Sequence, residues 1–165
     1  MNGELPAQDL RRDDTISAGV LLAVLEPSAR GDALRLAAEL EGIDGSACLL
    51  GPVGEILYVN SAWDRFAATN GGSPGAQGAA LLGKRYASFL TGLEARSFFD
   101  GVWLRVVAGQ PVAYRAGCDS AEARREISTT FTPVRLGLSF GAIVVHSVTG
   151  VSHRPRTPAE AAWTP

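Results

Sequence analysis

Cysteine is scarce in this chain: the two present, Cys48 and Cys118, lie far apart with no CxxC spacing. That excludes a disulfide framework and a zinc-ribbon site, and leads us to expect reduced thiols in a cytoplasmic protein. An excess of one charge is also missing. Fifteen basic residues face seventeen acidic ones, for a net charge of −2, so electrostatics makes no case for nucleic acid or an anionic membrane as partner. Long apolar runs are absent. Ala18 to Leu25 is the longest, far short of the roughly 20 residues that span a bilayer. Arg11-Arg12 precede that run, but Asp13-Asp14 intervene and Glu26-Pro27 follow, which is not the layout of a secretory signal. Catalytic motifs are missing too. There is no GxSxG, no phosphate-cradling GKS/T loop, no HExxH and no GxGxxG, and the carboxylates are scattered. We assign no catalytic residue and no metal ligand.

What is present suits one domain of ordinary size with an appendage: 165 residues, 46% of them apolar. The most informative stretch is GPVGEILYVNSAWDRFAATNGG, residues 51–72. Gly51-Pro52 and Gly54 make a turn. Ile56 to Val59 has strand composition. Asn60 and Ser61 can cap a helix over 61–70, and Ser61 with Asp64 has capping-box spacing. Asn70-Gly71 supplies a stop.

Upstream, residues 1–14 are expected to be frayed. A short helix is predicted over Thr15 to Glu26, ended by Pro27. A second is predicted over Asp32 to Leu40, with Leu36, Leu40 and Ile43 on one side and Leu34 nearby. Downstream, Ala47 to Leu50 reads as a strand, and residues 71–78 as a loop without identifiable chemistry. A helical turn is expected near Leu81 and a longer helix over 93–108. Three strands finish the domain. Val112 to Cys118 and Glu126 to Arg135 flank a solvated charged turn, and Phe140 to Val148 is apolar on both faces, as a central strand should be. The proline-bearing tail from Ser152 is expected to be disordered. Helices segregated between strands, with no βαβ alternation, give an α+β fold with an antiparallel sheet.

This order and these residues resemble the PAS domain, a small sensory module of bacterial signalling proteins. The matching positions are Gly54-x-Ile56-x-Tyr58-x-Asn60 with Ala62-Trp63 and Phe66, then Leu82-Gly83 ahead of Tyr86. A Cys118-Asp119-Ser120 turn with Arg124-Arg125, then Thr132-Pro133-Val134, and a closing Ser147-Val148-Thr149 complete the set. The resemblance covers residues 45–150, with a helical extension or cap over 1–44 and a tail over 151–165. It implies a five-stranded antiparallel sheet whose connecting helices enclose a pocket over one face. It also implies ligand sensing, dimerisation and signal transfer. Ser147 stands where many relatives carry the Asp that ties the last strand to a signalling helix. No output domain follows the matched region, so a separate kinase or transcription regulator is the expected partner.

The pocket candidates are Phe66, Tyr86, Phe89, Trp103, Tyr114, Cys118 and Phe131, enclosing a small hydrophobic or aromatic ligand. Arg115 and Arg125 could orient an anionic end. Leu34, Leu36, Leu40 and Ile43 either cap the sheet of their own chain or pair with a second copy. A cofactor is not required by any motif. The segment GKRYASFL lacks the cysteine of light-oxygen-voltage photochemistry, and residues 93–108 lack the axial histidine common in haem sensors. Non-covalent flavin, or haem on His146 of the last strand, remains an open alternative, as does a ligand-free interaction adaptor.

Overall fold

The computed structural model describes residues 25–70, 72, 74–119 and 123–153, with Cys118, Asp119 and His153 described by backbone only. The expected helix over 15–26 and the tail beyond His153 lie outside these residues. In chain order the elements are α1 (Pro27–Leu40), β1 (Ser46–Leu50), β2 (Ile56–Val59) and α2 (Ser61–Thr69). A 3-10 turn (Pro74–Ala76), α3 (Gly78–Leu81), a second 3-10 turn (Tyr86–Phe89) and α4 (Leu93–Val107) follow. The chain then forms β3 (Val112–Asp119), β4 (Ala123–Leu136) and β5 (Ser139–His153). All strand pairs are antiparallel, in the order β2-β1-β5-β4-β3. The apolar β5 is central, as its composition predicts.

The sheet buries both faces. On the inner face, Cys48, Leu50, Ala142, Val144 and Phe131 pack with Leu81, Tyr86, Phe99, Val102 and Val106 from the connecting helices. On the outer face, Ala47, Leu49, Leu57 and Leu136 pack against α1 through Ala29, Ala33, Leu36 and Leu40. All five residues of β1 are buried, which explains why its sequence, SACLL, shows no alternation.

Several local expectations change. Pro27 opens α1, which starts five residues before the expected Asp32. It occupies the first turn, where its missing N–H costs nothing, and Glu26 before it is extended. Asp32 therefore lies inside the helix, and its carboxylate accepts the N–H of Gly137 in the β4–β5 turn (3.0 Å). The Ser61–Asp64 capping box does not form. Asn60 is the N-cap, Ser61 donates to Glu41 (2.8 Å), and Asp64 accepts the N–H of Gly78 (2.7 Å). The charged run is not all turn: Arg124, Arg125 and Glu126 belong to β4, and Cys118-Asp119 to β3. Pro133 sits within β4 because β3 stops pairing at Phe131, so no ladder bond is lost on that side. Gly54 has φ of +78°, as its place in the β1–β2 turn requires.

One side chain joins four segments. Asn60 is 1% exposed. Its Oδ1 accepts the N–H groups of Trp63 (3.0 Å) and Ala47 (2.9 Å). Its Nδ2 donates to the carbonyls of Leu40 (3.1 Å) and Gly45 (2.9 Å). Every hydrogen-bonding position of the amide is filled. Asn60→Ala should lower unfolding free energy by about 3 kcal/mol, because buried backbone groups lose their partners. Urea denaturation checks this, and a loss under about 1 kcal/mol would contradict it.

Candidate functional site

An open cleft of about 650 Å³ lies on the inner side, between α2, the first 3-10 turn, α3 and the second 3-10 turn. Its walls include Ile56, Trp63, Phe66, Ala67, Leu81, Tyr86, Phe89 and Leu90, with Asn70 and Arg125 contributing polar groups. The wall is sewn together by long-range bonds. Trp63 Nε1 donates to the Ala76 carbonyl (3.1 Å), and Asp64 holds the N–H of Gly78, the first residue of α3. A Cβ at Gly78 would press on Val59, so this close approach of α3 to β2 needs glycine.

Behind Tyr86 is a polar row inside the apolar layer. Its Oη lies 3.1 Å from His146 Nε2, and His146 Nδ1 lies 3.0 Å from Thr129 Oγ1. A neutral imidazole has one donor and one acceptor nitrogen, so one hydroxyl donates to the ring and the other accepts from it. The edge of Trp63 meets the His146 ring at 5.6 Å between centroids. Burial lowers the His146 pKa to about 4, so the ring is neutral at pH 7. Burial raises the Tyr86 pKa well above its usual value, with Cys48 and Tyr114 adding to the rise. The Tyr114 pKa is also raised by burial, and a hydrogen bond from Thr129 opposes the rise. Burial pushes the Cys48 thiol up as well, making it an inert core group.

The pocket candidates divide. Phe66, Tyr86 and Phe89 line the cleft. Phe131 is fully buried in the core, with ring contacts to Tyr86, Phe99 and Tyr114. Trp103 stacks on Phe99, and Tyr114 meets Phe98 edge-on. These rings form the packed floor behind Tyr86. The Cys118 side chain lies outside what is described. Of the cap candidates, Leu36 and Leu40 are buried under α1, Ile43 packs at its end, and Leu34 points outward, 46% exposed. Trp63 is a cleft residue that the candidate set omits; Arg125, expected to orient an anionic end, lines the cleft, whereas Arg115 is not in its lining and lies 3.8 Å from Glu126. Trp63 follows the N-cap by three positions, a signal that could have placed it on the inward face.

Among solved structures the fold is similar to the PAS domain of Bordetella pertussis BvgS. The TM-score is 0.53 at 18% identity, over 80% of this chain and 92% of that one. It is also similar to the Rhodobacter sphaeroides LOV protein, with a TM-score of 0.51 at 14% identity, over 72% and 68% of the two chains. The chain has a PAS fold. No protein-family model matches the sequence, and no curated protein does.

Within this PAS fold, no group of three or more His, Cys, Asp or Glu is placed to hold a metal among the described residues. Among those residues, no helix is long and apolar enough to cross a membrane. Haem fits poorly. Helix α4 carries no histidine, both nitrogens of His146 are engaged, and the cavity beside that ring is only about 120 Å³. The aromatic walls of the larger cleft do accept a planar ring system, so non-covalent flavin stays within its chemistry.

The His146 environment sets a pH dependence. The unfolded chain takes up the imidazole proton near pH 6.5 and the folded chain near 4. Between those values the unfolded state binds more protons, so this contribution to stability is complete above 6.5 and is lost as pH falls toward 4. The loss should approach about 3 kcal/mol. Urea titrations of wild type and His146→Gln across pH 4–7 check it. The variant should lack this part of the slope, and parallel curves would contradict the assignment.

Proposed function

We propose that the chain is a cytoplasmic sensory and signalling PAS module, not an enzyme. It binds a small hydrophobic or aromatic ligand in the Trp63–Phe66–Tyr86–Phe89 cleft, forms a homodimer and regulates a separate partner, a kinase or transcription regulator. The observation that carries this reading is the cleft. Its volume of about 650 Å³ falls within the roughly 300–1,000 Å³ of small-molecule sites, and its aromatic lining with few polar groups is the usual makeup of such sites.

Native mass spectrometry of the purified full chain tests the ligand. A bound mass released on denaturation is expected, and Ala67→Phe, which places a ring in the cleft, should abolish it. If wild type carries no added mass, and no compound of an aromatic library raises its melting temperature, the ligand-free adaptor is the correct reading. A flavin or Soret band in the absorption spectrum would identify a cofactor.

The dimer reading draws on Leu34, which α1 turns away from its own sheet. Light scattering should find a dimer for the wild type and a monomer for Leu34→Glu. A wild type that is monomeric at high concentration would remove dimerisation from the proposal.

A further inference from the structure

We infer that the cleft selects an aromatic acid, a planar ring bearing a carboxylate, and that Arg125 receives the carboxylate. The inference rests on the reading of the cleft as a ligand site. It adds the chemical class of the occupant and the residue that selects it.

The argument begins with which donors are already spent. Trp63 Nε1 is given to the Ala76 carbonyl, and Asn70 Nδ2 to the Phe66 carbonyl (2.8 Å). The Tyr86 hydroxyl is engaged with His146. A ligand bearing a polar end therefore finds little donor capacity in these aromatic side chains, and a single further N–H on Asn70. Arg125 differs. It is the charged side chain among the residues lining the cleft, and it is half-buried. It reaches the cleft from the sheet, on β4 between position 118 of β3 and Val151 of β5.

A guanidinium presents a planar fork of N–H groups that matches a carboxylate in two parallel bonds. Partial burial strengthens that attraction above its value in water. Arg125 also makes a contact of its own, and five N–H donors allow it to keep that contact while holding a carboxylate. Apart from Asn70, the other described wall residues are apolar or aromatic, which suits a ring better than a second charged group. A planar body with one anionic end satisfies both parts of the site.

The test uses matched pairs of probes on the full chain: naphthalene-2-carboxylate with its carboxamide, and indole-3-acetate with indole-3-acetamide. Isothermal titration should find each acid at least about tenfold tighter than its amide, with the preference weakening as salt is raised. In Arg125→Gln the preference should vanish while amide affinity stays within about twofold. Arg125→Lys, which keeps the charge but loses the fork, should fall between. Circular dichroism and thermal melting confirm that the variants fold; if Arg125→Gln does not, Arg125→Lys carries the comparison.

Equal affinity for acid and amide in wild type, or a preference that survives Arg125→Gln, overturns this inference and leaves the cleft reading in place. Phenyl phosphate binding more tightly than the carboxylates also overturns it, in favour of a phosphate-bearing ligand. Failure of every acid and every amide to bind overturns the cleft reading, and this inference with it.

Discussion

The buried amide of Asn60 is the constraint on which the rest of the structure depends. Each of its four bonds fastens a different segment: the end of α1, the residue before β1, β1 itself and the first turn of α2. A backbone group buried without a partner costs as much as a lost hydrogen bond, so the four segments can be close only with this side chain between them. Helix α2 carries Trp63, Phe66 and Ala67 into the cleft. The position of that wall is therefore fixed at Asn60 by hydrogen bonding as well as by aromatic contact. Glu41 adds an outer tie, accepting from Ser61 and Tyr58. Burial alone would raise its carboxyl pKa, but these donors and Arg65 hold it below the usual value.

The wall built on this anchor is made of short pieces. Helix α3 has four residues, and the two 3-10 turns have three and four, lengths at which a helix has little stability of its own in water. They persist because tertiary contacts hold them. Asp64 holds the start of α3, Trp63 holds the first 3-10 turn, and Tyr86 enters the core from the second. The sheet and α4 form a continuous packed layer behind them. The cleft is thus walled by short pieces that depend on tertiary contacts and backed by the continuous layer of sheet and α4.

The strands themselves and the central place of the apolar last strand were legible because alternation and punctuation are local signals. Phe131, Thr129 and Ile127 fall on one face of β4 as their spacing indicates, and the apolar β5 lies in the middle of the sheet. What could not be read was which partner a polar side chain would choose. Asn60 was visible as a cap, but its bonds to Leu40, Gly45 and Ala47 reach across 13 to 20 positions. Asp64 sits at capping-box spacing from Ser61, yet the N–H of Gly78 claims it. Pro27 also starts α1, which packs on the outer face of the sheet, and that contact is not visible in the local sequence. Aromatic composition likewise could not separate rings that wall the cleft, such as Phe66 and Phe89, from those that fill the floor, such as Phe131 and Trp103.

The length of the β4–β5 pair has a consequence for how the sheet is divided along its strands. These strands span 14 and 15 residues, a ribbon of roughly 50 Å at strand rise. Strand β1 accompanies β5 only as far as His146. Beyond it, β3 is the strand paired with the ribbon among the described residues, and the register shifts between Glu126 and Ile127. The irregularity divides the ribbon: His146 and Thr129 lie on the side that β1 accompanies, and Arg125 on the side beyond it.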